Sequence, residues 1–211
     1  MMTKVTIGYF ILLTFHLMGI SLAYAPLSAT TKPLLMPYLI VLVWNHKGGI
    51  KSRWILFLAL LFSWIGDLFL MLSGEQHFIF GLAAFFCAQV CYIRLFLMTS
   101  SWRPLFFLPF LCFAALLLGG PLDGKIPPPL QLPLYAYTGV ICLMGYTASL
   151  RQPLLPGYAA VLIGAILFIL SDSFIALNRF GGGVQGADLW IMFSYGLAQY
   201  LIASGWLKQS S

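Results

Sequence analysis

The chain has 211 residues, of which 61% are hydrophobic and only 8% charged, and its net charge is +6. A soluble domain carries roughly 25% charged residues, so this composition, with a mean hydropathy of +0.96, excludes an ordinary soluble fold and points to an all-α, polytopic membrane helix bundle. No polar stretch is long enough for a separate soluble domain, so the expected organisation is a single transmembrane domain over residues 1–211, and any chemistry must lie inside it.

A spanning helix needs about 20 apolar residues. Breaks at charged, proline and glycine clusters predict eight of them, over 6–24, 30–44, 54–72, 77–98, 105–118, 133–150, 158–177 and 188–207. The first follows Lys4 and ends near Ala23-Tyr24-Ala25, a pattern that imitates a secretory signal; Pro26 directly behind it and the full spanning length predict a retained helix instead. The second is short, with Pro33 read as its first-turn proline and Pro37 as a bend, and re-entry is the competing reading. Its Lys32 reads either as an interfacial lysine reaching for headgroups or as a phosphate contact.

The third span carries the feature around which the chain is organised. Trp64-Ile65-Gly66-Asp67 sets a carboxylate into an apolar run, expected about six residues, or roughly 9 Å, below the outer end, with Ser63 one turn before it. The fourth span carries Gly81, Gln89 and Tyr92. A glycine- and proline-rich connection, 119–129, then divides the chain into possible halves 1–118 and 133–211, each with four spans. The seventh span repeats the third, with Ser171-Asp172-Ser173 at the same expected depth, and ends at Asn178-Arg179; the eighth repeats Ala88-Gln89 as Ala198-Gln199. Four helices per half predict a 4+4 parallel repeat about an axis along the membrane normal. The loop 180–183 reads as a flexible outer connection or lid, without the strand and lysine of a phosphate-binding loop.

Basic residues set the expected orientation. With the N-terminus inside, inner segments hold Lys4, Lys47, Lys51, Arg53, Arg94, Arg103, Arg151 and Lys208, and outer segments hold only Lys32, Lys125 and Arg179. Eight against three puts both termini in the cytoplasm of, most simply, a bacterial inner membrane. Trp44, Trp54, Trp102 and Trp206 then form an inner interfacial belt. The positive charge is topology and contact with membrane lipids; nothing in it calls for nucleic acid. Cys87, Cys91, Cys112 and Cys142 lie within spans and read as packing residues, and His16 as an interhelical hydrogen bonder.

Of the five acidic residues, Asp67 and Asp172 are the two inside apolar helices. A mid-membrane carboxylate costs roughly 3 kcal/mol on insertion scales, so the pair is the candidate catalytic site, ordinary interhelical hydrogen bonding being the plainer reading. Gln89, Tyr92, Asn178 and Gln199 are candidates to orient water or substrate, and Lys32 and Arg179 to hold a phosphate. Two other functions compete. A zinc hydrolase would need His16, His46 and His77 to converge, which their separate depths oppose, so no metal or cofactor is expected. A proton-coupled carrier also uses buried carboxylates in paired repeats.

Lys32-Pro33 entering the second helix, Gly66-Asp67, the Gly81 to Tyr92 pattern and Ser171-Asp172 together resemble the YhhN-like lysoplasmalogenase family of eight-helix membrane proteins, and the resemblance covers essentially the whole chain. It implies hydrolysis of the vinyl ether of a lysophospholipid substrate, a lysoplasmalogen, to a fatty aldehyde and a glycerophospho-ethanolamine or -choline. It implies Asp67 and Asp172 as the acid and base, in the manner of paired carboxylates in glycosidases. Gln89 stands where the resemblance leads one to expect His, and an amide transfers no proton, so no acid–base role is implied there.

Overall fold

The computed structural model describes residues 2–46, 49–101 and 103–209, so Lys47 and Trp102 of the sequence reading lie outside the described residues. Among the described residues eight α-helices follow one another: α1 Met2–Ser21, α2 Ala25–Trp44, α3 Ile50–Leu70, α4 Glu75–Leu97, α5 Leu108–Gly119, α6 Pro128–Ser149, α7 Tyr158–Phe180 and α8 Ala187–Lys208; a 3₁₀ turn, Pro104–Phe107, leads into α5. The chain is an all-α membrane helix bundle. α1, α2, α3, α4 and α7 are each long and apolar enough to cross a membrane. α6 and α8 are 22 residues each but more polar, and more than half of each is buried in the bundle. α5, at 12 residues, extends only about 18 Å and buries none.

The surface is apolar, as a lipid-facing surface must be: Ile7, Ile11 and Phe15 on α1, Leu34 and Val41 on α2, and Ile163 and Ile166 on α7 are all exposed. The main core draws buried side chains from every helix but α5, including Leu35, Leu60, Tyr92, Met144, Phe168 and Tyr195. A second cluster of Phe78, Leu122, Ile126, Leu130, Leu134 and Ala176 gathers where α4, α6 and α7 meet the connection between α5 and α6.

α2 corrects the sequence reading. It is a full 20-residue helix whose first-turn proline is Pro26, so Pro33 and Pro37 are both interior. Pro37 has no N–H to give the carbonyl of Pro33, four residues earlier. Trp64 of α3 takes that role: its indole N–H donates to the Pro33 carbonyl at 2.8 Å. One side-chain bond thus repairs α2 and fixes its register against α3. Lys32, next to Pro33, is thereby carried about 10 Å into the bundle from the first residue of α2 instead of lying at its entry.

The two aspartate helices end differently from the expectation. α3 stops at Leu70, three residues or about 4.5 Å beyond Asp67, while α7 continues eight residues or about 12 Å beyond Asp172, to Phe180. α7 persists because its last turn has partners: Phe180 packs on Phe78 at 6.0 Å, and the Asn178 side-chain carbonyl accepts the Val184 N–H at 3.2 Å. α3 and α4 approach closely because Gly66 has no side chain; a Cβ there would meet the Phe85 ring at 2.6 Å. Between α7 and α8 the matching step is a hydrogen bond, Ser171 donating to the Ile191 carbonyl at 3.1 Å.

The end of the bundle opposite the aspartates is held by Arg151, which is fully buried. Its Nε donates to Thr99 at 3.2 Å and its Nη2 to Gln209 at 2.9 Å. Its guanidinium lies 5.0 Å from the Trp206 ring centre. Burial lowers its pKa to about 10, so it stays charged. The expected interfacial role of Trp206 is therefore overturned: it is 3% exposed and packs in the core, because its ring is what receives this cation. Trp44 and Trp54, by contrast, are exposed and stack edge-to-face at 5.2 Å.

At the same end Gly157 begins α7 with φ +78°, and an added Cβ would collide with the backbone of Gly205 on α8. Both the left-handed conformation and the contact exclude a side chain. Gly157→Ala is expected to destabilise the bundle by about 2 kcal/mol or more. Gly139→Ala, where nothing lies within 4 Å of the added carbon, is expected to be neutral. Thermal unfolding of both variants in one detergent, followed by circular dichroism, checks the difference.

Candidate active site

A carboxyl group in an apolar helix needs a hydrogen-bond donor, and each aspartate has a tyrosine. Tyr195 on α8 donates its hydroxyl to Asp67 Oδ2 at 2.8 Å. Tyr137 on α6 donates its hydroxyl to Asp172 Oδ2. Asp67 is 4% exposed, Asp172 somewhat more open. The two carboxyl groups lie close enough to interact electrostatically. They are held differently, since Asp67 takes its partner from α8 and Asp172 from α6.

Lys32 lies within electrostatic range of both Asp67 and His16. His16 Nδ1 forms the interhelical hydrogen bond foreseen from sequence, to Thr31 Oγ1 of α2 at 2.9 Å. Above this lies a cleft of about 600 Å³ whose polar lining is His16, Ser28, Lys32, Asn178, Arg179 and Asp188. The Arg179 guanidinium sits 4.0 Å from the centre of the Phe78 ring, which fixes it on the wall of the cleft. Asp172 lines two small cavities of about 30 Å³ each. The first is continuous in its lining with the cleft, since Leu70, Phe78 and Ile175 face both. The second reaches Phe113 and Leu117 of α5.

Four of the residues singled out from sequence therefore gather around one cleft or its floor: Lys32, Asn178, Arg179 and Asp172, with Asp67 beside Lys32. Gln89, Tyr92 and Gln199 do not reach the cleft. All three are fully buried; Tyr92 donates its hydroxyl to Gln199 Oε1 at 2.5 Å, and Gln89 lies beside Tyr137 with neither amide atom hydrogen-bonded. Gln199 sits one helical turn from Tyr195, so these residues back the tyrosines that hold the carboxyls. Asn178 lines the cleft, but its carbonyl is committed to the following loop.

Tyr137, Tyr195 and Asp188 were missed by sequence reasoning. A tyrosine in an apolar helix reads as one more large apolar side chain, and the usable signal was the demand of a buried phenol for a partner. Asp188 enters the sequence only as the first residue of the eighth predicted span, and nothing local marks it as facing a cleft.

Residues 27–206 match the YhhN family. The chain is 35% identical over 156 residues to a Sus scrofa protein named lysoplasmalogenase TMEM86B, covering 74% of this chain and 64% of the relative. It is 32% identical over 169 residues to a Mycobacterium bovis lysoplasmalogenase, covering 76% and 62%. Against Homo sapiens lysoplasmalogenase TMEM86A the identity is 32% over 157 residues, covering 70% and 63%. The chain thus spans slightly less than two thirds of the length of these curated relatives. No solved structure matches it. The family match runs from the first turn of α2 to the last turn of α8 and takes in both aspartates, their tyrosine partners and the cleft residues other than His16, Ile20 and Ala25: the chain belongs to the YhhN family.

Proposed function

We propose that this protein is a lysoplasmalogenase-type hydrolase, cleaving the vinyl ether of a lysophospholipid with Asp67 and Asp172 as its acid and base. The observation that carries this reading is the pair itself: two aspartates in mutual electrostatic range, each held by a tyrosine, next to a cleft whose wall presents Lys32 and Arg179. The names of the relatives supply the substrate class.

One carboxyl gives its proton to the β-carbon of the vinyl ether, leaving an oxocarbenium ion at the α-carbon. The other carboxylate removes a proton from water as the water oxygen bonds to that α-carbon. The hemiacetal then collapses: its hydroxyl proton returns to the first carboxylate, the C–O bond to glycerol breaks, and the second carboxyl protonates the departing oxygen. A fatty aldehyde and a glycerophospho alcohol result, and both aspartates regain their starting protonation. Tyr137 and Tyr195 fix the carboxyl orientations, with Gln89 lying beside Tyr137 and Gln199, bound by Tyr92, one helical turn from Tyr195. Lys32 and Arg179 hold the phosphate, and the Asn178 amide N–H₂ is placed to meet the glycerol. The cleft, on the orientation given by the basic residues, opens to the non-cytoplasmic face of a bacterial inner membrane.

Detergent-purified protein incubated with a lysoplasmenyl lipid is expected to release fatty aldehyde. Asp67→Asn and Asp172→Asn are each expected to lower kcat by about 10³-fold or more while eluting as folded protein; near-wild-type release from either variant overturns the two-carboxylate mechanism. Tyr137→Phe and Tyr195→Phe are expected to lose about tenfold each, as removal of one hydrogen bond to a charged group would. Lys32→Gln is expected to raise KM more than it lowers kcat, and a steady-state comparison in which kcat alone falls removes Lys32 from headgroup binding.

A further inference from the structure

The cleft holds charges of both signs. Asp188, exposed in the first turn of α8, lines it together with Lys32 of α2 and Arg179 of α7. Among the described residues none of the three forms a hydrogen bond or ion pair with another side chain, and Arg179 is placed instead by its ring contact with Phe78. Two cations and a carboxylate kept apart around one cleft match a zwitterion better than an anion, because an anionic headgroup would set its charge against Asp188 with nothing gained.

The kind of cation follows from the rings. A quaternary ammonium has no N–H and is recognised on aromatic faces, whereas a primary ammonium donates hydrogen bonds to a carboxylate. Among the described residues the rings lining the cleft are Phe78 and the His16 imidazole; His16 is hydrogen-bonded to Thr31, and the Arg179 guanidinium covers a face of Phe78 at 4.0 Å. Phe78 is 5% exposed, so among the described residues it offers no further face to a choline group, while the Asp188 carboxylate is open to an ammonium.

Resting on the hydrolase reading above, we propose that Asp188 is a specificity-determining residue: it binds the primary ammonium of a phosphoethanolamine headgroup whose phosphate lies on Lys32 and Arg179, and so selects ethanolamine over choline lysolipids.

The test uses the full-length protein in detergent and pairs hydrolysis with binding. Wild type is expected to cleave lysoplasmenyl-ethanolamine with kcat/KM about tenfold above lysoplasmenyl-choline. Asp188→Asn is expected to erase that ratio by raising KM for the ethanolamine lipid alone, and Asp188→Glu to keep most of it. In parallel, thermal stabilisation by saturated lysophosphatidylethanolamine and lysophosphatidylcholine, which have no vinyl ether, reads the headgroup site without chemistry. If wild type cleaves neither lipid yet is stabilised preferentially by the ethanolamine lipid, and Asp188→Asn abolishes the preference, the headgroup assignment stands and the hydrolase reading fails. Equal use and equal binding of both headgroups by wild type overturns the assignment, as does an Asp188→Asn variant that loses both lipids alike, the result of a merely structural role at the start of α8.

Discussion

A carboxyl group inside an apolar bundle has no bulk water to solvate it, and the two Asp–Tyr hydrogen bonds are how this chain meets that constraint. Each bond reaches between two helices: Tyr195 to Asp67 ties α8 to α3, far apart in sequence, and Tyr137 to Asp172 ties α6 to its successor α7. Satisfying the aspartates and assembling the centre of the bundle are therefore one event. Loss of either phenol would leave a buried acid short of its donor and two helices short of a polar link.

The same rule acts on the backbone. Two interior prolines make α2 a helix with missing N–H donors, and Trp64 supplies one of them at the Pro33 carbonyl. Trp64 and Asp67 are three residues apart on α3, hence on one face. Lys32 and Pro33 are neighbours on α2. The repair of the helix thus brings the ammonium of Lys32 toward the carboxyl of Asp67, and a defect in one element becomes the means of placing charge beside another.

Much of this was legible in the chain. The eight helices show as apolar runs broken by proline, glycine and charge, and two aspartates among so few acids stand out against them. What the sequence hid has physical reasons. Lys32 reads as rim because Pro33 resembles a first-turn proline, and only the helical continuation back to Ala25, with Pro26 in that role, carries it inward. The unequal tails beyond Asp67 and Asp172 depend on what Phe180 and Asn178 touch, which no local pattern encodes. Trp206 reads as interfacial because a tryptophan near a terminal lysine usually is, yet here its ring is the seat of a buried arginine. Gln89, Tyr92 and Gln199 stand out as polar but declare no direction, and the fold turns them behind the site.

Arg151 has a mechanical consequence. It joins the segment after α4, the segment after α6 and the end of α8 through Thr99, its own backbone and Gln209, alongside the glycine contact between α7 and α8. The cleft end has no such shared cation among the described residues; there α1 and α2 are joined by the single His16–Thr31 hydrogen bond, and α4 and α7 by packing of Phe180 on Phe78. The two ends are thus braced differently: one by a single buried cation that three segments share, the other by contacts that each join only two helices.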